Sequence, residues 1–463
     1  MAYVVVEVVD HISRLPAAII HHIFSFLPFK DVVKTSVLSK QWRFAWASTP
    51  YIHLSLPSAG VVPLISRALS RCTATKIEKF HLDATKSGND VLIDPDWWIR
   101  FAVAGKVKHA SFVFGSFKQD VPRFLCSCAS LVSLRLSNCL FSRDITIHWP
   151  LLKKLCLHYL PFQKDQIMNI LSGCPVLESL TLQRSHPSLG TCDLRIDSRS
   201  LRELVIENVY ILSLDVSAPN LLSLRLSGMF VPPGFRLNGA SSLAEAELNF
   251  DKPTNFRGCF LERMKFVLEQ LQHIAKITMG SWCLKVLSAV EVMGMSYLSS
   301  RWRNIIVYTT FSKSNHLGMA YVLKSSPRLE RLVICNPKSD NITFDNKDYP
   351  ELCDFDEKQF WHSQKEFYCV ANHLKRVEIV GFEFDNEKSK LLLDLAKFFL
   401  EEAVGLEKMI IDVELKMSRR GVPMDPHDLW GIQVVIQLQE GCRRASRNAE
   451  VIVNYFNGLP TKA

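Results

Sequence analysis

Between residues 131 and 248 the pattern Leu-x-x-Leu-x-Leu returns at nearly constant spacing, and this recurrence restricts the fold more than any other feature of the chain. Copies stand at Leu131-Leu134-Leu136, Leu152-Leu155-Leu157, Leu177-Leu180-Leu182, Leu201-Leu204-Ile206 and Leu221-Leu224-Leu226, with Leu243-Ala246-Leu248 as a weaker one. Their starts lie 21, 25, 24, 20 and 22 residues apart, a period that belongs to stacked-repeat architectures in which each unit buries its apolar face against the next. Looser copies flank the run at Ile77-Phe80-Leu82, Val107-Ala110-Phe112 and Ile274-Ile277-Met279, and Leu329-Leu332-Ile334 is again clean. Pro150, Pro175, Pro219 and Pro327 each stand two residues before a first leucine, so the chain should enter each strand extended. Alternation sends the leucines inward and the residues between them onto a concave sheet. That places Arg135, Ser137, Cys156, His158, Thr181, Gln183, Val205, Glu207, Arg225 and Ser227 in one array, a solvated sheet by default and a binding surface as the sharper reading.

The segments Ser172-Gly173-Cys174-Pro175-Val176-Leu177-Glu178-Ser179-Leu180 and Ser325-Ser326-Pro327-Arg328-Leu329-Glu330-Arg331-Leu332 are near copies of one another. Both resemble the S-x-C-P-x-L-E-x-L signature of plant F-box proteins with leucine-rich repeats. The ninth position of a regular repeat, Asn or Cys, is matched by Cys139 but is Leu160, Ser185, Val209 or Met229 elsewhere. An irregular solenoid with unequal convex segments is the expectation.

Residues 10–46 carry a different pattern. Ile19, Ile23 and Phe26 form one apolar stripe at helical spacing, and Ile20, Phe24 and Leu27 a second beside it, after Pro16 near the start of the helix. Pro28 ends that helix, Val33 and Val37 continue on a second, and Ser39 can cap a third bearing Trp42 and Trp46. Three short helices this apolar cannot hide all of that surface in a core of their own. The order Leu15-Pro16, Ile19, Ile23-Phe24-Ser25-Phe26-Leu27, Asp31, Thr35-Ser36, Val37-Leu38-Ser39-Lys40 and Trp42-Arg43 resembles the F-box, with His11, Ala17 and Gln41 departing from the plant pattern. The resemblance implies docking onto the Skp adaptor of cullin-RING ubiquitin ligases, with Leu15, Pro16, Ile19, Ile23, Phe24, Leu27, Val37, Leu38 and Trp42 as candidate contacts.

Residues 340–366 hold eight acidic residues against three lysines and read as a loop or insertion. Beyond it, Leu374-Lys375-x-Val377-x-Ile379-x-Gly381-Phe382 and Phe399-Leu400-Glu401-x-Ala403-x-x-Leu406-x-Lys408-Met409-x-Ile411 resemble the FBD domain, with Val451-Ile452-Val453 as its closing strand. Such a region would continue the repeats and cover their open edge.

The three resemblances give an α/β chain: an N-terminal three-helix F-box at 1–50, an irregular leucine-rich-repeat solenoid at 51–339, an acidic loop at 340–369, and an FBD region capping the solenoid at 370–463. Formal charge is +2 over residues 1–50, +13 over 51–339 and −6 over 340–463, from 5 against 3, 34 against 21 and 16 against 22 basic and acidic residues. A docked internal interface, an acidic or phosphorylated partner for the basic middle, and two solvated surfaces of unequal drift are the three readings of that split, the last being the default. Tyr3-Val4-Val5-Val6-Glu7-Val8-Val9 is too short and lacks the basic leader of a signal peptide, and no stretch reaches the ~18 apolar residues that span a membrane. Thirteen cysteines without an even framework read as reduced thiols of the cytoplasm or nucleus. Cys126-x-Cys128, with Cys139, His148, Cys156 and His158 further on, lacks the usual spacing of a zinc site. Basic residues in the repeats are dispersed and not interleaved with aromatics as a nucleic-acid surface requires, and Arg443-Arg444 with Arg447 reads as a solvated helix face rather than a localisation signal. No Walker A, G-x-S-x-G, G-x-G-x-x-G or H-E-x-x-H occurs, so neither cofactor nor catalytic centre is expected. A non-catalytic substrate receptor of a Skp–cullin–F-box ligase is the expected function, with Arg135, His158, Gln183, Glu207 and Arg225 offered to the target. A leucine-rich-repeat scaffold that drives no ubiquitination is the alternative.

Overall fold

The computed structural model describes residues 12–56, 62–85, 95–115, 119–142, 144–162, 165–184, 186–187, 192–209, 211–228, 232–251, 259–309, 313–336, 360–361, 367–383, 386–414, 436, 438 and 441–456. The stretches 1–11, 340–359 and 362–366, and with them Asp10, His11, most of the acidic insertion, and the ninth-position residues Ser185 and Met229, lie outside the described residues. The chain forms two compact units, Met1–Leu221 with Leu237–Ser241, and Leu222–Arg236 with Ser242–Ala463.

The first unit begins with α1 (Ala17–Phe24), α2 (Phe29–Lys34) and α3 (Trp42–Ala45). Pro16 sits at the N-cap of α1, one step before the helical position expected, and its carbonyl accepts the Ile19 and Ile20 N–H groups. The Ser39 hydroxyl accepts the Trp42 N–H at 3.4 Å, so it caps the third turn as its sequence position implies. Strands β1 (Tyr51–Ser55), β2 (Lys79–Ala84), β3 (His109–Phe114), β4 (Ser133–Ser137), β5 (Lys154–His158), β6 (Ser179–Gln183) and β7 (Glu203–Glu207) then pair in parallel, each with its predecessor.

The repeat consensus explains this stacking. Leu134, Leu155, Leu180 and Leu204 stand in register, as do Leu136, Leu157, Leu182 and Ile206, so every second residue extends an apolar ladder. Burying each such side chain contributes about 1.5–3 kcal/mol. The first leucine closes a tight turn: Leu152, Leu177 and Leu221 donate their N–H to the carbonyls of Trp149, Cys174 and Ala218, three residues back. Pro150, Pro175 and Pro219 hold the second position of those turns, where a fixed φ near −65° is already correct. One carbonyl per repeat then accepts two N–H groups from the next: Val132 those of Lys153 and Lys154, Lys153 those of Glu178 and Ser179, Glu178 those of Arg202 and Glu203.

The residue after each of four successive strands is left-handed: Asn138 at φ 57°, Tyr159 at 53°, Arg184 at 46° and Asn208 at 53°. Asn138, Tyr159 and Arg184 each donate their N–H to the following repeat, and the Asn138 side chain also donates to the Phe114 carbonyl at 2.9 Å. The turn-bonding role expected of the ninth position is thus shared with the eighth. Two further strands, Cys192–Asp197 and Ile211–Ser217, pair in parallel and bury Leu194, Ile196, Leu214 and Val216.

The second unit continues the same plan with β8 (Ser223–Gly228), β9 (Glu245–Phe250), β10 (Lys276–Met279), β11 (Asn304–Tyr308), β12 (Arg331–Cys335), β13 (Arg376–Glu383), β14 (Lys408–Glu414) and β15 (Glu450–Phe456). From β9 onward each pairs in parallel with its predecessor. β11 belongs to a repeat the leucine pattern does not show, because Trp302 replaces its first leucine, ahead of buried Ile305 and Val307. Its indole N–H donates to the Leu271 carbonyl at 2.9 Å, which lets an aromatic with a polar edge fill an apolar slot. The acidic segment re-enters the described structure at Phe360-Trp361. There the Trp361 indole N–H donates to His316 Nδ1 at 2.9 Å, and Trp361 packs on Phe367 and Phe398.

Burial pushes the His316 pKa from 6.5 down to about 4. The native state therefore binds fewer protons than the unfolded chain between those values, and the imidazole's contribution to stability is lost as pH falls through that window. His316→Gln keeps an acceptor for Trp361 but does not titrate. The midpoint of thermal unfolding should accordingly fall less steeply from pH 6.5 to 4 in this variant than in the parent.

Candidate functional site

Two surfaces carry the sequence-derived candidates. In the N-terminal helices, the stripe Ile20 and Phe24 turns inward against Val32 and Trp42, with Leu15, Ile23, Leu27, Ala45 and Trp46 packed half-buried around them. Phe24 and Trp42 meet edge to face at 5.6 Å between ring centroids. The Trp42 indole N–H donates to the Ile12 carbonyl at 3.0 Å, and Gln41 Nε2 to the Leu15 carbonyl at 2.7 Å, tying the start of the unit to its end. Phe24 and Trp42 are therefore not at the surface position expected of contact residues. They complete the small core with Ile20 and Val32, filling the space between three short helices.

The opposite stripe is outside. Ile19 is 46% exposed, Val37 86% and Leu38 54%, and two residues absent from the sequence-derived set, Phe26 at 74% and Phe44 at 69%, join them. Pro16 is exposed as well. Phe26 carried a signal, its helical spacing with Ile19 and Ile23, but spacing does not say which of two stripes faces out. Phe44 carried none. Isolated exposed apolar residues are ordinary, and five large ones within residues 19–44 make this stretch the candidate interaction surface of the N-terminal helices. His22 lies edge-on to Phe26 at 5.1 Å, and His21 Nε2 is 3.2 Å from the Ser48 hydroxyl, so this pair of histidines flanks the apolar surface.

The second surface is the sheet face turned away from the leucines. In the first unit His81, Ser111, Arg135, Cys156, Thr181 and Val205 form one cross-strand row, and Asp83, Val113, Ser137, His158, Gln183 and Glu207 the next. Arg135 is exposed, while Cys156, His158, Thr181, Gln183 and Glu207 are half-buried. Ser137 and Val205 are buried, contrary to the expectation of a solvated array. The His158 ring covers Ser137, with Nδ1 3.4 Å from its hydroxyl. Gln183 Nε2 donates to Glu207 at 2.7 Å. Burial, then Arg135 and Arg184, hold the His158 pKa below its ordinary value against the opposing pull of Glu207. Arg225, in the second unit, is neutralised by Glu247 across the strand pair at 2.7 Å, so the two arginines read alike from sequence differ in what they can offer.

The cysteine candidates are free thiols, and burial pushes Cys126 up to about 12, far from the thiolate a metal or a nucleophilic reaction needs. Among the described residues no three His, Cys, Asp or Glu side chains converge to hold a metal ion, and no helix is long and apolar enough to cross a membrane.

Three families match along the chain: the F-box domain at residues 12–53, the leucine-rich repeats of the FBD-associated F-box protein At5g56370 at 96–244, and the FBD at 366–411. Among curated proteins of Arabidopsis thaliana, F-box/LRR-repeat protein At3g03360 is 33% identical over 349 residues, covering 71% of each chain. Putative F-box/LRR-repeat protein At3g18150 is 30% identical over 441 residues, covering 88% of each. Proteins of this kind are typically substrate receptors of Skp–cullin–F-box ligases, their domains non-catalytic adaptors, and an F-box implies binding to a Skp-type adaptor. The chain, with its F-box helices, parallel strands of leucine-rich-repeat type and C-terminal FBD, belongs to the plant F-box/LRR-repeat protein family.

Proposed function

We propose that this protein is the substrate-recognition subunit of a Skp–cullin–F-box ubiquitin ligase and has no catalytic step of its own. The observation that carries the reading is the exposed set Ile19, Phe26, Val37, Leu38 and Phe44 on a helical unit that matches the F-box. Closing that apolar surface against an adaptor removes it from water at about 25 cal/mol per Å², and aromatic anchors of this kind dominate such interfaces. Exposed Pro16 and half-buried Leu15, Ile23 and Leu27 complete the docking surface, while Phe24 and Trp42 act through it by holding the helices in place. The sheet face bearing Arg135, His158, Gln183 and Glu207 is the surface offered to a target protein, which the adaptor and cullin then bring to the ubiquitin-loaded enzyme.

Affinity capture of the full chain from plant cells with the proteasome inhibited tests this. Recovery of a Skp-type adaptor, a cullin and a ubiquitin-bearing protein is the expected result. Recovery of protein partners without adaptor or cullin would show a scaffold that drives no ubiquitination.

A further inference from the structure

The left-handed position that closes four successive repeats of the first unit carries, in two of them, side chains that the turn itself does not call for. At the left-handed position Asn138 and Asn208 are conventional, since Asn adopts positive φ readily. Tyr159 at φ 53° and Arg184 at φ 46° are not; a left-handed conformation costs such residues roughly 1–2 kcal/mol each. The two side chains are also fixed to each other. Arg184 Nη1 donates to the Tyr159 hydroxyl, and the guanidinium lies 5.7 Å over the Tyr159 ring. That ring in turn sits 4.3 Å from the imidazole of His158. Arg135 stands on the other side of His158, one strand away, since it is in register with Cys156 two residues earlier on β5.

The charge around this cluster is unbalanced. Neither Arg135 nor Arg184 forms an ion pair with any described residue, whereas Arg225, Arg303 and Arg331 in the second unit all do. The cross-strand row through Arg135, from His81 to Val205, contains no acidic residue. The acidic groups of the next row are Asp83 and Glu207; Glu207 accepts from Gln183, and its single charge also reaches Arg184 and His158, one carboxylate against two guanidinium groups. Burial first, and after it both guanidinium groups, lower the His158 pKa against the opposing pull of Glu207, so both arginines lie within electrostatic reach of that imidazole.

We infer that Arg135 and Arg184, on either side of His158 and with Tyr159 as an aromatic wall, form a receptor site for a phosphorylated segment of the target protein. The inference rests on reading this sheet face as the target surface. A phosphoryl group carries close to two negative charges and three acceptor oxygens, which two guanidinium groups match and a single carboxylate does not. Because Arg184 is already held by Tyr159, little side-chain freedom is lost on binding.

The test uses the full chain in complex with a Skp-type adaptor, passed over immobilised degenerate peptides with a central phosphoserine, phosphothreonine or phosphotyrosine and over their unphosphorylated counterparts. Retention should favour the phosphorylated peptides at least tenfold. Arg135→Ala and Arg184→Ala should each reduce it by about tenfold, the loss expected for one charge-assisted hydrogen-bonding partner, with adaptor capture and far-ultraviolet circular dichroism unchanged. Arg225→Ala should leave retention as it was. Equal retention of both peptide sets, or undiminished retention by the Arg135/Arg184 double variant, overturns the site while intact adaptor capture leaves the F-box reading standing. Loss of adaptor capture by the parent chain would instead count against that reading.

Discussion

Val37→Glu should abolish capture of a Skp-type adaptor while leaving the protein folded. Val37 is the most exposed large apolar side chain of the N-terminal helices and follows the α2 helix, so a carboxylate there meets water in the free protein at little cost. In the proposed complex the same carboxylate would be buried without a partner, and an interface residue of this kind is worth about 2 kcal/mol or more, at least ~30-fold in affinity. Trp42→Ala should also lose the adaptor, but for another reason. It removes the ring against Phe24 and the hydrogen bond to Ile12, at a cost of about 3–5 kcal/mol in a core of four buried side chains. Adaptor capture distinguishes neither variant from the other; protease resistance of residues 12–50 does. The Val37 variant should match the parent and the Trp42 variant should be cleaved faster. Full adaptor binding by Val37→Glu would remove the exposed stripe from the interface.

Ending the chain at residue 340 should give insoluble protein. The cut leaves β12 as an open edge, stripped of the β13 register Leu332 to Val377 and Ile334 to Ile379 and of the strands beyond it. It also removes Trp361 from His316 and Cys369 from the Leu323 carbonyl, uncovering one side of the helix Lys313–Lys324. Leu374, Val377, Ile379, Leu392, Phe399, Met409 and Ile411 are all buried in the part removed, each contributing about 1.5–3 kcal/mol. An exposed, flat strand edge next to uncovered apolar surface is a template for aggregation. A soluble 1–340 fragment that unfolds cooperatively in urea would show instead that the C-terminal region is a separate domain.

Much of the fold was legible because a parallel repeat has a strong one-dimensional signature. The leucine triplets located strands β4 to β9, the looser copies located β2, β3 and β10, and Leu374-Val377-Ile379 located β13. What escaped was a repeat whose first position is Trp302, since a pattern written in leucine cannot see an aromatic that meets the same demand by donating its indole N–H. The strands at 192–197 and 211–217 also escaped. Their alternation, Leu194 with Ile196 and Leu214 with Val216, is only two apolar residues long and sits where convex segments were expected.

The candidate surfaces were legible in part, and for a physical reason. Helical spacing identified both apolar stripes of the F-box but could not say that Ile20 and Phe24 pack on Trp42 while Ile19 and Phe26 stay outside. That choice depends on the angles between three short helices. On the sheet, sequence placed Arg135 and Arg225 in equivalent positions. Only cross-strand register reveals that Glu247 neutralises one and that nothing among the described residues neutralises the other. Arg184 lay outside the expected array because it follows the strand, and its left-handed backbone is what turns it toward Tyr159.

Co-expression of the chain with a Skp-type adaptor, followed by size-exclusion chromatography with light scattering, tests the central claim most directly. The full chain should elute as a one-to-one complex, and a chain lacking residues 10–46 should leave the adaptor free. A deletion variant that still carries the adaptor, or a full chain that never does, would contradict the account.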